Sequence, residues 1–277
     1  MSLSAILGNV QHVVEKTGLL ASEYFISDNT LNQSKCDGSV VTEVDFAIEK
    51  VLVSHIKKNF PEDSIVGEEG GNHESDGPFV WHIDPIDGTD NFLRKIPFCA
   101  VSVARLGNRD NDSFAIVYNP ITKQMYTATN SAGVHVNGVL KKINSEPLGS
   151  RALVSVCKGK EEWMKSATYN LQKAIGIKYG KGASLGCCAL ECTYVAVNRI
   201  DGVLILGLNS FDYAAGLFLI KQAGGSISVF DGRVWYPWES SLKELCGIQN
   251  RFILASHDGI HDELIKTVGD VRVWADG

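Results

Sequence analysis

The chain has 277 residues, of which 44% are hydrophobic and 21% are charged, a composition typical of a globular protein. A chain of this length fits one large domain that buries a sizeable core without disulfides or structural metals. The formal net charge of −6, without any run of Lys or Arg, argues against a polyanionic partner, so we expect no nucleic-acid binding. We see no signal peptide and no apolar segment long enough for a bilayer, so we expect a cytoplasmic protein that binds no membrane.

Seven cysteines are distributed over the sequence, and their spacing does not give the two ligand pairs of a zinc site. An odd number in a chain of this length favours reduced, mostly buried thiols over a disulfide framework. The cysteines are Cys36, Cys99, Cys157, Cys187, Cys188, Cys192 and Cys246.

Apolar residues recur every three or four positions in two stretches near the N-terminus. This spacing predicts amphipathic helices over residues 6–25 and 43–60, with a polar loop around residues 35–38 between them. Strand-like segments follow at residues 79–83, 101–106, 113–118 and 124–129, with turn signals at 119–120 and 136–138.

The C-terminal part alternates helical and strand-like segments. Helices are predicted over 161–175, 187–198 and 212–223, and strands over 202–206 and 226–230. This order predicts a layered α/β protein, a single domain over residues 1–277 with halves of about 1–145 and about 146–270.

Acidic residues lie at the ends of predicted elements rather than on solvated helix faces. Glu68 lies in a Gly-flanked loop, Asp84 and Asp87 follow a strand, and Asp212 begins a helix of mostly apolar residues. Carboxylates that converge without a cation repel each other and raise each other's pKa. Mg²⁺ prefers a few carboxylates together with water and phosphate oxygens, so this pattern predicts a magnesium site.

Gly88 and Thr89 follow the second of these aspartates directly. If a helix begins there, its free backbone N–H groups and the positive end of its dipole provide a phosphate cradle beside the metal. A metal-bound water beside an anion cradle is what phosphoester hydrolysis needs.

Each acidic residue also has a simpler interpretation. Thr42-x-x-Asp45 and Asp87-x-x-Asp90 both have the spacing of a helix capping box, and Asp212 is a suitable helix N-cap. By spacing alone, a metal-free glycosidase that uses two of the carboxylates is an alternative.

Four segments taken together make the sequence resemble the inositol monophosphatase family. The segments are Val41-Thr42-Glu43-Val44-Asp45, Gly67-Glu68-Glu69, Trp81-His82-Ile83-Asp84-Pro85-Ile86-Asp87-Gly88-Thr89-Asp90-Asn91-Phe92 and Phe211-Asp212-Tyr213-Ala214-Ala215-Gly216. Their order and spacing match over roughly residues 3 to 265.

The resemblance implies an αβαβα sandwich of the inositol monophosphatase and fructose-1,6-bisphosphatase type. It also implies Mg²⁺ dependence with two to three ions per site, lithium sensitivity and a homodimer. The implied reaction is hydrolysis of a small phosphate monoester, such as inositol monophosphate or a related sugar or polyol phosphate, by a metal-activated water.

The resemblance further assigns roles to individual residues. The implied metal ligands are Glu68, Asp84, the carbonyl of Ile86, Asp87 and Asp212. The implied catalytic residues are Glu68, Thr89, which positions the attacking water, and Asp45, which orients Thr89. The implied substrate-binding residues are Asp87, Gly88, Thr89, Gly186, Cys187, Cys188 and Asp212.

Three positions depart from the family's pattern, and none of them is a metal ligand. Ile205 stands where relatives that act on inositol phosphates have a substrate-binding Glu, Cys187 and Cys188 replace Thr and Ala, and Phe211 replaces Trp. We expect Ile205 to contact the substrate, and a site without a polar group there discriminates poorly among polyol phosphates. The dipole of the predicted helix would lower the thiol pKa values at 187 and 188, and the alternative is that both cysteines simply pack.

The departures leave the substrate open. Fructose-1,6-bisphosphate, histidinol phosphate and a 3′-phosphonucleotide are alternatives within the family. A non-catalytic regulatory protein that retains the fold is the alternative from another functional class.

Overall fold

The structure is a computed structural model that describes residues 2–27, 32–34, 40–108, 112–130, 132–141, 151–248 and 252–269. The polar loop predicted around residues 35–38 lies outside these ranges, as does Cys36. The helices are α1 (Leu3–Ile26), α2 (Glu43–Asn59), α3 (Thr89–Leu93), α4 (Glu162–Tyr179), α5 (Cys188–Ala196), α6 (Ser210–Ala223), α7 (Leu242–Cys246) and α8 (Asp258–Val268). None of these helices is long and apolar enough to cross a membrane, within the residues described.

The strands form two large sheets and one short antiparallel pair. They are β1 (Asn32–Ser34), β2 (Val40–Thr42), β3 (Ser64–Gly67), β4 (Phe79–Asp87), β5 (Ala100–Gly107), β6 (Phe114–Asn119), β7 (Gln124–Thr129), β8 (Gly133–Val136), β9 (Val139–Lys141), β10 (Leu153–Lys158), β11 (Lys181–Ala183), β12 (Gly202–Leu206), β13 (Ser226–Phe230), β14 (Trp235–Pro237) and β15 (Phe252–Ser256). The short pair is β1 and β2.

The first large sheet has the strand order β3-β4-β5-β6-β7-β8-β9, in which β3 and β4 are parallel and the other neighbours are antiparallel. Helices α1 and α2 cover its outer face. Val14 and Ile48 on these helices belong to one buried cluster with Trp81 and Ile83 of β4. Both helices therefore bury most of the apolar stripe that the sequence spacing predicted, although Ala47 and Val51 of the predicted stripe of α2 are exposed.

The second sheet has the order β11-β10-β12-β15-β13-β14. Strand β10 is parallel to both β11 and β12, and the other pairs are antiparallel. Helices α4 and α8 cover its outer face, where Leu171 and Leu264 join a cluster with Val156 and Leu204.

Helices α5 and α6 lie between the two sheets. The cluster that contains them includes Ala104 and Val117 of the first sheet, Val203 and Ile253 of the second, and Leu217 of α6. Every residue of α6 from 213 to 220 is buried, as expected of a helix covered on both sides. The order of layers is helix, sheet, helix, sheet, helix, so the predicted αβαβα architecture is confirmed.

Most predicted elements are present, with bounds that differ by a few residues. Helix α4 continues four residues beyond the predicted Ile175 to Tyr179, where Gly180 with φ 94° provides the C-cap, and β4 continues four residues beyond its predicted end to Asp87. The predicted turn at Asn137-Gly138, with φ 47° and 80°, joins β8 to β9. Strands β10 and β15 were not predicted, because both are short apolar runs inside the second sheet and show no alternation.

A candidate metal and phosphate site

Strand β4 carries Asp84 and Asp87, and a β-bulge between them sets the direction of their side chains. Asp84 pairs with Ser102 of β5 but Asp87 pairs with Ala100, so β4 contains one extra residue. Residues three apart in a regular strand point to opposite faces, and a bulge re-aims one of them. Both carboxylates are buried, and they approach each other because of this bulge.

Helix α6 supplies a third carboxylate from its first turn. Asp212 Oδ2 accepts a hydrogen bond of 2.8 Å from the backbone N–H of Asn209, which is the N-cap of the helix. The capping box therefore fixes the aspartate. The carboxylate oxygens of Asp84, Asp87 and Asp212 lie within 4.8 Å of one another.

Glu68 reaches the same cavity from the end of β3. Because β3 is parallel to β4, both strands end at the same edge of the sheet, and Glu68 is hydrogen-bonded to Asp84. The loop that carries Glu68 is anchored by Glu49 of α2, a buried residue that helical spacing did not identify. Its carboxylate accepts the backbone N–H groups of Glu69 and Gly71, both at 2.8 Å.

The buried carboxylates disfavour one another's ionised form. Burial raises the pKa of Asp84 well above its usual range, and the neighbouring carboxylates raise it further. Burial likewise raises the pKa of Asp87 to about 7 and that of Asp212 well above its usual range. Oδ1 of Asp84 is buried without a hydrogen-bond partner. An acidic cluster with an unsatisfied oxygen fits a divalent cation, and Mg²⁺ prefers such oxygen ligands.

Gly88 turns the chain from β4 into α3. Its φ of 83° lies in the left-handed region, and a Cβ there would lie 3.0 Å from the carbonyl oxygens of Phe98 and Gly186. Only glycine fits this position without strain. Gly88 and Thr89 both line the cavity, and Thr89 Oγ1 donates a hydrogen bond of 3.0 Å to the carbonyl of Ile86.

The loop before α5 closes the other side of the cavity, where Gly186 belongs to the lining. Glu191, which is 1% exposed, holds this loop: its Oε1 accepts the backbone N–H groups of residues 185, 186 and 187 at 3.2, 2.9 and 3.2 Å. The hydroxyl of Ser155 donates to the other carboxylate oxygen. Periodicity did not identify Glu191, because its side chain looks like an ordinary charge in a helix.

Helix α5 also contacts the acidic cluster formed by Asp84, Asp87 and Asp212. Oδ2 of Asp87 accepts the backbone N–H of Ala189 at 2.6 Å and the thiol of Cys187 at 3.1 Å. Asp87 is thus fixed by contacts from the middle layer, and its other oxygen is not engaged by these two donors.

The cavity has a volume of about 350 Å³, within the range of small-molecule sites. Beyond the residues already described, its lining includes a group that the sequence did not predict. This group is Lys158, Gly159, Lys160, Glu161, Gly207, Leu208 and Asn209. They follow β10 and β12, and the lysines were missed because β10 was not recognised as a strand.

Comparisons with known proteins agree with this geometry. The model of the inositol monophosphatase family matches residues 5–272. The chain belongs to the inositol monophosphatase family. The family is Mg²⁺-dependent, and the acidic cluster of this member is suited to bind the metal.

Relatives within the family carry two kinds of name. The proteins named Nus factor SuhB from Salmonella typhimurium strain LT2 and Escherichia coli strain K12 are each 34% identical over 217 residues, covering 77% of this chain and 80% of the relative. The solved structure of a Thermotoga maritima IMPase has a TM-score of 0.80 and 26% identity, covering 98% of this chain and 99% of that one. The Bartonella henselae extragenic suppressor protein suhB has a TM-score of 0.79 at 23% identity, covering 96% and 98%. Because some relatives are named Nus factors, the absence of a nucleic-acid partner stays a prediction.

Ile205 was expected to contact the substrate, and the structure shows that this expectation is wrong. Ile205 is 0% exposed in β12, paired with Cys157 and Ile253, and it does not line the cavity. Counting back from Asp212 gave the position in the sequence, but the cavity is lined by the loop from 207 to 209 instead. Poor discrimination among polyol phosphates therefore cannot be argued from this residue.

The expected lowering of the thiol pKa values is also wrong. Cys187 is 1% exposed, and burial together with the charge of Asp87 raises its pKa well above the usual range. The pKa of Cys188 is also raised. The largest causes are its hydrogen bonds with the thiols of Cys157 and Cys192, and burial adds to them. Desolvation and nearby acids outweigh the helix dipole here. Of the three loop positions, only Gly186 lines the cavity.

Asp45 does not orient Thr89 through a direct hydrogen bond in the structure. Its Oδ2 accepts the backbone N–H of Thr42 at 2.9 Å in the capping box of α2, and its Oδ1 is buried without a hydrogen-bond partner. Thr89 Oγ1 donates to the carbonyl of Ile86 instead. The catalytic role of Asp45 stays a prediction.

The buried carboxyls set a pH dependence of stability. Burial raises the pKa values of Asp45, Asp87 and Glu191 to about 7 in the folded protein, whereas unfolded carboxyls titrate near 4. The unfolded state binds fewer protons between these values, so the stability present at low pH is lost as pH rises towards 7. In excess chelator, we expect a lower Tm at about pH 8 than at about pH 5, measured by scanning calorimetry.

Mg²⁺ should oppose this loss. The ion binds ionised carboxylates, so it should raise Tm more at the higher pH, and the Asp212→Asn variant should show a smaller increase. A chelated wild-type protein whose Tm rises over the same pH range would contradict the expectation.

Glu191→Ala should destabilise the protein strongly, because it leaves three backbone N–H groups without their acceptor. The N–H of the buried Cys187 costs about 1–3 kcal/mol when it is unpaired, whereas water can reach the exposed residues 185 and 186, so we expect a loss of about 1–3 kcal/mol in the free energy of unfolding by urea. Glu191→Gln keeps a carbonyl acceptor and should lose less. Glu263→Ala, at an exposed position of α8, is the control. Equal losses in the Ala and Gln variants would show that the acceptor does not hold the loop.

Proposed function

We propose that this member of the family is a Mg²⁺-dependent phosphatase that hydrolyses small phosphate monoesters. The observation that carries the proposal is the convergence of Asp84, Asp87 and Asp212 within 4.8 Å at one cavity. Three buried carboxylates at that distance have a high cost in the absence of a cation. A chain that did not use the ion would have no reason to retain all three.

The residues that would hold the metal are the three aspartates, Glu68 and the carbonyl of Ile86. Two to three ions are the number that the family resemblance suggests. When bound, Mg²⁺ ions lower the pKa of a water and stabilise charge on phosphate oxygens. The remaining tasks fall to the chain's own groups.

Gly88 and Thr89 line the cavity, and their backbone N–H groups would bind the phosphoryl oxygens. The Thr89 hydroxyl lies at the same wall and would orient the attacking water through its oxygen. Contacts from Cys187 and Ala189 fix Asp87, so that carboxylate needs little reorganisation when the ligand arrives. We extend lithium sensitivity, cytoplasmic location and a homodimer to this chain as parts of the same proposal.

A regulatory role without catalysis is the second candidate, and the relatives named Nus factor SuhB favour it. A purely regulatory chain would not depend on its metal ligands. Phosphate release therefore distinguishes the two candidate functions. A protein that is both a phosphatase and a regulator would still release phosphate.

Asp87→Asn should lower kcat by about 10²-fold or more, because the residue is placed to bind metal and begins the phosphate cradle. Phosphate release from a panel of monoesters, with Mg²⁺ or with excess chelator, measures the effect. Circular dichroism should show an intact fold. Asp262→Asn on the exposed side of α8 is the matched control and should behave as wild type. Equal turnover in chelator and in Mg²⁺ would refute the mechanism.

Thr89→Ala should lower kcat more than it raises KM. A hydroxyl that positions water acts mainly in the transition state, and its loss costs about 10²-fold in general acid–base systems. Thr89→Ser retains the hydroxyl and should recover most of the rate. A rise in KM with kcat unchanged would make Thr89 a binding residue only.

A further inference from the structure

The second sheet reverses the direction of its connections between β10 and β12. Strand β10 leads into α4 on the outer face and on to β11, whereas β12 leads into α6 in the middle layer and on to β13. In open α/β sheets, ligands bind at the carboxyl ends of parallel strands where the connections diverge. The cavity opens at this point of the sheet, since residues that follow both strands line it.

Two lysines lie at the carboxyl end of β10. Lys158 is the last residue of the strand and is partly buried, and Lys160 is exposed two residues later. They are the cationic side chains among the described residues that line the cavity. Lys160 is close enough for its charge to act on the Asp212 carboxylate.

Glycine at 159 holds the two loops together. Its N–H donates a hydrogen bond of 2.7 Å to the carbonyl of Leu206, and a Cβ at this position would lie 2.6 Å from the carbonyl oxygen of Gly207. The backbone contact therefore keeps the lysines beside the loop from 207 to 209. This loop precedes α6, which carries Asp212 of the acidic cluster.

Both long helices at this point begin in the cavity wall. Glu161, the N-cap of α4, and Asn209, the N-cap of α6, both belong to the lining. The positive ends of the two helix dipoles therefore add to the charge of the lysines. The carboxylate of Glu161 opposes an anion, but it accepts a hydrogen bond of 2.5 Å from Trp163 Nε1.

We propose that Lys158 and Lys160 form a second anion subsite, which binds a phosphate or carboxylate group of the substrate other than the phosphate that reacts. The proposal rests on the proposed function and narrows its substrate class to phosphate esters with a second anionic group. The reacting phosphate would bind at the carboxylate cluster and Gly88, and the lysines line the same cavity from the end of β10. The lysines give the second group a charged partner that a polyol monophosphate leaves unused.

The test compares matched esters in Mg²⁺. Glucose 1,6-bisphosphate and glucose 1-phosphate differ only in the second phosphate, and 2-phosphoglycerate and glycerol 2-phosphate differ in a carboxylate. We expect kcat/KM for the bisphosphate to exceed that for the better of its two monophosphates, glucose 1-phosphate and glucose 6-phosphate, about tenfold or more, whereas two independent ends would give at most a factor of about two. The second pair decides whether a carboxylate serves as well as a phosphate.

Variants connect the preference to the lysines. Lys158→Met and Lys160→Met should each reduce the ratio of the two kcat/KM values several-fold, and the double variant should remove the preference. Lys158→Arg and Lys160→Arg keep the charge and should restore it. Lys165→Met, on the exposed side of α4, should leave the ratio and the activity unchanged.

Two results would overturn the proposal. One is a wild-type ratio near two, and the other is a double variant that lowers kcat/KM for both esters equally, which would assign the lysines to the reacting phosphate or the metal cluster. Failure of every ester to react in Mg²⁺ would refute the proposed function instead. Calorimetry would then measure the dissociation constants of the two glucose phosphates in wild type and in the double variant. Tighter binding of the bisphosphate that is lost in the double variant would support the subsite, and equal binding of both esters by the wild type would overturn it.

Discussion

Mutual repulsion among three aspartates, of which Asp84 and Asp87 are buried and Asp212 is partly buried, is the constraint around which the structure is arranged. Asp84 and Asp87 come from one strand of the first sheet, and Asp212 comes from a helix of the middle layer. Their oxygens lie within 4.8 Å, in surroundings where burial alone disfavours their charge. Such a cluster persists only when the backbone around it is fixed by other means. The bulge in β4 and the capping box of α6 supply that fixation. The bulge is held by main-chain pairing with β5, and in the capping box the Asp212 carboxylate accepts the backbone N–H of Asn209.

Two further buried acids organise the loops around this cluster. Glu49 accepts N–H groups from the loop that follows β3, and Glu191 accepts three from the loop that precedes α5. Each loop must expose backbone to the cavity, so it cannot pair its N–H groups within a sheet or helix. A buried carboxylate from the neighbouring helix satisfies them and leaves the loop in one conformation. The site is therefore surrounded by acids with two separate tasks, which are metal binding and loop support.

The sequence predicted the layers and the metal cluster, but not the supporting contacts. Helical spacing located α2 and α6, and the acids at element ends located Asp84, Asp87 and Asp212. Glu49 and Glu191 escaped notice because a glutamate in a helix gives the same signal whether it is solvated or buried. Ile205 was assigned to the wrong environment because a position counted along the chain does not give the direction of a side chain. Lys158 and Lys160 were missed because a short apolar strand cannot be distinguished from other apolar runs by periodicity.

The bulge in β4 also has a consequence for how proteins of this fold diverge. Asp87 and Asp212 also accept backbone N–H groups, from Ala189 and Asn209. Because an amide keeps a carbonyl acceptor, an Asp→Asn change at the cluster removes a source of repulsion and can retain such a hydrogen bond. A descendant that loses the reaction in this way gains stability and keeps every surface by which it meets other molecules. The fold therefore offers a short mutational route from metal-dependent chemistry to a protein valued only for its shape, and chains of both kinds can retain nearly identical backbones.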